Sequence, residues 1–145
     1  MMKRIVAALI LISGLIYFGT THWQSGSVRS AHTGQNDDAI SNAFHDKQSG
    51  IQVAGAGTVI RILPDDTEGR RHQRFILKLA SGQTILIAHN IDLAPKIKSL
   101  KTGDVILFCG IYEWSSKGGT VHWTHHDPEG NHINGWLKKG SQIYQ

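Results

Sequence analysis

His122, His125, His126, Asp127 and His132 crowd one short stretch near the C-terminus. Imidazole nitrogens and carboxylates are ligands for zinc and other borderline divalent ions. His122, His125, Asp127 and His132 form the candidate set for a divalent metal such as zinc. His89 or His72 would complete the coordination sphere if their strands lie alongside. A metal with one open position and a neighbouring base would support hydrolysis. The pairs His125/Asp127 and His72/Asp66 offer such a base. The spacing matches no recognised zinc signature. With His122 on a strand, His125 reaches its side only if the chain turns after Thr124. No serine or cysteine nucleophile motif is present. In the plainer account, these imidazoles hydrogen-bond loop backbone and stack on tryptophans.

The second chemistry is binding without catalysis. Three of the four tryptophans, Trp114, Trp123 and Trp136, lie between Gly110 and Tyr144, with Tyr112 beside them. Arg70, Arg71, His72, Arg74 and Lys78 form the best basic patch in the chain. Aromatic rings interleaved with positive charge suit single-stranded nucleic acid, and equally sugars, glycan strands or peptides. The ligand-binding candidates are Arg70, His72, Arg74, His89, Tyr112, Trp114 and Trp123. Two plainer accounts compete. The acidic turn Asp65-Asp66-Glu68 balances the patch locally, and a small domain needs some of its aromatics for its core. The formal net charge is +4, and removing Lys3 and Arg4 leaves +2. That balance gives little support to nucleic acid as the partner.

These side chains must be positioned by strands. Ile51 to Leu63 reads as a long first strand, with Gly55 and Gly57 two apart on one face. Glycines inside a strand mark a bend, a bulge or a close approach. Pro64 to Gly69 is a turn. In the second strand, His72 to Leu79, Gln73, Phe75, Leu77 and Leu79 face the core, and His72, Arg74, Ile76 and Lys78 face water. Ser81-Gly82 turns the chain into a third strand, Thr84 to Ala88. Asn90 or Asp92 caps a short helical stretch that buries Ile91, Leu93, Ile97 and Leu100. A fourth strand runs Val105 to Trp114, and Val105 to Phe108 suggests burial on both faces. Lys117-Gly118-Gly119 leads to a fifth, Thr120 to Thr124, in which Val121 and Trp123 face one way and Thr120, His122 and Thr124 the other. Trp136 and Leu137 cover an open barrel end, and Ile143 and Tyr144 add an edge pairing. The arrangement predicts an all-β fold, a small OB-like five-stranded barrel with a short helical connection between strands 3 and 4. An SH3-like barrel or a small sandwich is the main competitor.

The N-terminal part has a different character. Met1-Met2-Lys3-Arg4 is basic, and Ile5 to Phe18 is almost wholly apolar. That is the pattern of an export helix: residues 1–21 form a signal peptide or an N-terminal membrane anchor. Either sends the rest across a membrane, to the periplasm or outside, with the anchor touching the inner membrane. Residues 22–42 read as a polar linker, although Asn36 to Phe44 could form a short helix with Ile40 and Phe44 on one face. Residues 43–145 form the barrel domain. Cys109, the sole cysteine, lies in an apolar run and reads as a buried hydrophobe.

Several motifs together resemble one family. They are Leu63-Pro64-Asp65-Asp66 followed by His72-Gln73, and Ile87 to Pro95. Gly110-x-Tyr112-Glu113-Trp114, His122-Trp123-Thr124-His125-x-Asp127-Pro128 and His132-x-x-Gly135-Trp136 complete the set. With them the chain resembles the DUF3465 family of small exported bacterial proteins of unknown function, over nearly everything after about residue 42. The resemblance implies membership and export. It implies no activity, cofactor or ligand. The expectation is an exported binding module for a polar ligand such as an oligosaccharide, peptide or oligonucleotide. The alternative is a metal-binding protein or a metal-dependent hydrolase.

Overall fold

The structure is a computed structural model that describes residues 28–145. The expected export segment, residues 1–21, lies outside the described residues. Among those described, no helix is long and apolar enough to cross a membrane. The elements are α1 (Val28–His45), β1 (Ile51–Ile62), β2 (His72–Leu79), β3 (Thr84–Asn90), β4 (Val105–Glu113), β5 (Thr120–His122), β6 (Trp136–Lys139) and β7 (Gln142–Tyr144).

The strands pair in the order β1-β2-β3-β5-β4, and β4 returns to β1, so the sheet closes on itself. β3 and β5 are parallel; the other pairs are antiparallel. This is an OB-like barrel. β6 and β7 extend it from β4 as an added hairpin. Closure depends on β1 serving two partners. Its first part pairs with β4 and its last part with β2, and Gly57 and Thr58 pair with both. A Cβ on Gly55 would lie 2.9 Å from the Phe108 ring, and one on Gly57 would lie 2.9 Å from Leu77 Cβ. The two glycines therefore mark the bend and the close approach of strands, and Gly57 also lines an outer cavity of about 410 Å³ with Thr58, Ile60, Lys78 and Val105.

Strict alternation builds the core. Phe75, Leu77 and Leu79 of β2 meet Ile85 and Ile87 of β3 inside the barrel, with Val59, Ile106, Phe108, Tyr112, Val121 and Leu137. β4 alternates too: Val105 is 56% and Leu107 38% exposed, so the run Val105 to Phe108 is buried on one face only. The outer side of these strands is an open surface, not a second core.

The two barrel ends are closed differently. α1 covers the end at the β2–β3 turn, with Ile40 and Ala43 in the core. Asp37 accepts from the Ser81 N–H, and Ser41 donates to Gln83. The polar stretch expected as a linker is thus helical from Val28 onward. At the other end no helix forms between β3 and β4, contrary to expectation. Asn90 Oδ1 accepts from Asp92 N, and Asn90 O from Ala94 N, giving tight turns. Pro95 then has no N–H to donate and biases Ala94 away from helical dihedrals. Gln73 grips the next segment through both backbone groups of Ile97, at 3.0 and 2.9 Å. Ile97 is buried as the plug of this end, whereas Leu93 stays 44% exposed.

Candidate functional site

The outward residues of β2, β3 and β5 form one face. Its rungs are Lys78 opposite Thr84, Ile76 opposite Leu86, Arg74 opposite Ala88 and His72 opposite Asn90. Thr120 aligns with Leu86 on the far side of β3, and His122 continues β5 beyond Val121, the partner of Ile87. Two cavities open on this face. One, of about 390 Å³, is lined by Ile76, Thr84, Leu86 and Thr120, and walled by Arg61, Leu63, Ser115 and Lys117. The other, of about 230 Å³, is lined by Arg70, His72, Ala88, Asn90, His122, Trp123 and His125. A third, of about 140 Å³, shares Arg70 and Trp123 and is otherwise lined by Leu93 and the loop residues Asp127 to His132.

Trp123 stands where these last two cavities meet. Its φ is +53°, a left-handed conformation costly for a bulky side chain. This residue ends β5 and breaks the expected alternation. Thr124 therefore enters the barrel instead of facing water with His122, and its hydroxyl meets His89 Nδ1 at 2.8 Å. Gly135 makes the strained turn possible. It passes so close that a Cβ there would lie 1.8 Å from the Trp123 carbonyl oxygen. The Gly135 N–H also donates to His125 O at 2.9 Å.

The predicted metal ligands are brought near one another, but not into a coordination sphere. Among the described residues, no group of three or more His, Cys, Asp or Glu side chains is placed to hold a metal ion. The metal reading, and the hydrolase built on it, is corrected accordingly. The reason is local. The indole of Trp123 packs among the rings, with centroids 6.1 Å from His122, 5.4 Å from His125 and 4.2 Å from His132. Asp127 is committed to its own loop, accepting from Glu129 N at 2.9 Å and His132 N at 2.7 Å. Burial opposes its charge, but the backbone N–H groups of Glu129 and His132 outweigh it and hold the carboxyl below its usual range. His125 Nδ1 donates to His126 O at 2.7 Å. These are the backbone and stacking roles of the plainer account.

The ligand-binding candidates divide. Arg70, His72 and Trp123 line one cavity together with His122 and His125 from the metal set. Arg74 lies on the same face, with Nε donating to Pro64 O. His89 points into the barrel, its ring held by Thr124 and by Pro95 O at 3.2 Å. Tyr112 is a core residue that donates to Gly118 O. Trp114 pins α1 instead, through Nε1 to Phe44 O at 3.0 Å and with Lys47 over its ring. Asn90, Ala88 and Lys117 also line these cavities, and no motif in the sequence marks them as ligand contacts. The alternation of β3, extended through Asn90, would have put Ala88 and Asn90 on the outer face.

The face is electropositive. Arg71 pairs with Asp92, and Lys96 with Asp65. Arg61, Arg70, Lys78 and Lys117 have no ion-pair partner among the described residues. Burial pushes the His122 imidazole below its ordinary value, opposed by Glu113 3.5 Å away. None of the curated proteins matches the chain. A family model described as "Protein of unknown function (DUF3465)" matches residues 19–145. With all but the first residues covered, the chain belongs to the DUF3465 family.

Proposed function

We propose that this chain is a binding module that takes a polar ligand along the outer face of β2, β3 and β5. The observation that carries this reading is the pair of cavities, about 390 and 230 Å³, at neighbouring rungs of one face. Alternate outward residues along a strand are roughly 7 Å apart, so one extended ligand can occupy both. The larger cavity mixes Leu63, Ile76 and Leu86 with Ser115, Thr84 and Thr120, which suits a ring-bearing body with hydroxyl or amide groups.

Ala88 is the small residue between them. Ala88→Phe would fill the passage from an outward position and spare the core. Oligosaccharides, peptides and oligonucleotides can be screened by NMR shift mapping. The expected result is that one class moves the Leu86, Ala88 and Thr120 amides, and that Ala88→Phe weakens it at least about tenfold, some 1.4 kcal/mol, with little change in Tm. Ligand shifts confined to Ala54, Leu107 and Lys138 on the opposite wall would reject the reading.

The domain is also proposed to work outside the cytoplasm, on the strength of Lys3-Arg4 and the apolar run Ile5 to Phe18. A phosphatase reporter that matures only after export, fused behind the full chain, should be active. Deleting residues 5–18 should abolish that activity, and unchanged activity would count against export.

A further inference from the structure

We infer that the 230 Å³ cavity beside Trp123 is a phosphate-ester pocket, in which Arg70, His72 and Asn90 grip the tetrahedral oxyanion of the ligand. The inference rests on the binding reading above and names the group recognised at one end of the groove.

Three observations carry it. The cavity lining is Arg70, His72, Ala88, Asn90, His122, Trp123 and His125, and it contains no carboxylate. A cavity edged by imidazole, guanidinium and amide groups without an acid favours an anion. The second observation concerns Asn90, which is 5% exposed. Its Oδ1 accepts the Asp92 N–H at 3.0 Å, which fixes the orientation of the amide. Its Nδ2 is then a donor, and it makes no hydrogen bond to the described residues. This donor is not among the buried unpartnered atoms, so it is open to water at the cavity edge, where a ligand acceptor can replace that water.

The third is the freedom of its neighbours. Arg70 makes no ion pair with any described residue, although Arg71, next to it, is tied to Asp92 through both backbone and side chain. His72 uses its backbone to pair with Asp66, and its ring makes no hydrogen bond to the described residues. His72 and Asn90 are directly paired across β2 and β3, so their Cβ atoms lie about 5 Å apart. The donors come from a loop and two strands. A carboxylate has two oxygens to satisfy them, whereas a phosphate ester has more and also accepts the forked geometry of a guanidinium. The nearest acids do not compete inside the cavity. Glu113 faces His122 from β4, Asp127 is consumed by its own loop, and Glu129, which lines the adjoining 140 Å³ cavity with Arg70, accepts from Asn131 Nδ2.

The test uses the full chain, with inorganic phosphate, a sugar phosphate, a nucleoside 5′-monophosphate and the uncharged sugar and nucleoside as probes. Binding is followed by NMR at constant ionic strength. Phosphate-bearing probes should move the Asn90 side-chain amide and the Trp123 indole, and the uncharged ones should not. Arg70→Ala should weaken binding at least about tenfold, while Lys138→Ala, on the opposite wall and outside both cavities, should change it less than about twofold. Equal binding of inorganic phosphate and esters would show that the free ion is the ligand. Tighter binding of one ester would identify the body that lies in the groove. Equal losses in Arg70→Ala and Lys138→Ala would reduce the effect to diffuse charge and overturn the inference. If neutral oligosaccharides or peptides shift Leu86 and Thr120 but no phosphate shifts Asn90, the phosphate pocket is rejected and the binding groove stands. If no probe shifts either set, both are rejected.

Discussion

Gly135→Ala is expected to remove about 3 kcal/mol or more of folding stability, a large share of the roughly 5–15 kcal/mol typical of a domain. The added methyl would sit 1.8 Å from Trp123 O and 2.7 Å from Cys109 O. Both are backbone atoms, so no side-chain rotation relieves the contact. Cys109 is fixed in β4, paired with Trp136 of β6. Trp123 is fixed by its turn, and the Gly135 N–H is already bonded to His125 O. The segment from Trp123 to Gly135 would have to leave the barrel wall, taking the cavity beside Trp123 with it. Gly130→Ala is the comparison. Gly130 has φ +71° but nothing within 4 Å of its would-be Cβ. Its cost should be only the roughly 1–2 kcal/mol of left-handed backbone. Urea unfolding of the two variants checks this, and equal midpoints would mean that Gly135 does not lie against Trp123.

Acid should destabilise the fold well before its carboxylates titrate. Burial lowers the His89 pKa from its ordinary 6.5 to about 4, against the opposing hydrogen bond to Pro95 O. Thr124 and Pro95 define the neutral form: Nδ1 accepts from the hydroxyl and Nε2 donates to the carbonyl. Above pH 6.5 the imidazole is neutral in both folded and unfolded chains, and its contribution is complete. Between 6.5 and about 4 the unfolded chain takes up a proton that the folded one refuses. Stability therefore falls as pH falls through this window, by about 3 kcal/mol in all. Below about 4 both forms are protonated and His89 costs nothing further.

His122, whose pKa is also lowered chiefly by burial, acts in the same direction. Asp92 and Asp104 act later. The carboxyl of Asp92 is held low first by the Arg71 backbone N–H, and that of Asp104 first by Lys139. Their contributions are lost only as pH drops below the usual carboxylate range. Denaturation midpoints from pH 7.5 to 4 should slope downward, and His89→Gln should flatten the slope. If that variant is too unstable to measure, NMR titration of the His89 ring gives the answer directly. A midpoint near 6.5 would refute the buried neutral imidazole.

The two predictions depend on different kinds of information. The alternation of Gln73, Phe75, Leu77 and Leu79 is visible in the residue types, and it correctly separates the inner and outer faces of β2. The turns at Ser81-Gly82 and Lys117-Gly118-Gly119 set hairpin boundaries by local chemistry alone. The succession of β1 to β5 along the chain followed from these local signals, as did the all-β class. Family membership was equally legible, because motifs are properties of sequence.

What failed was long-range. The β3–β4 link has helix-compatible spacing at Ile97 and Leu100, yet Gln73 and Pro95 hold it as an irregular plug. The aromatic candidates lie close together in the sequence, from Tyr112 to Trp123. Tertiary packing assigned Tyr112 to the core, Trp114 to α1 and Trp123 to the cleft. The metal set dissolved for the same reason. Spacing in the chain cannot show that an indole will pack among the histidines, or that Asp127 will turn to its own backbone.

The sequence by itself determined the barrel, because alternation and turns are local and each strand carries its own inside and outside. Only the tertiary structure decided which polar residues share a cavity. That outcome depends on closure of the sheet, on one left-handed tryptophan, and on a glycine that lets two distant backbone segments touch.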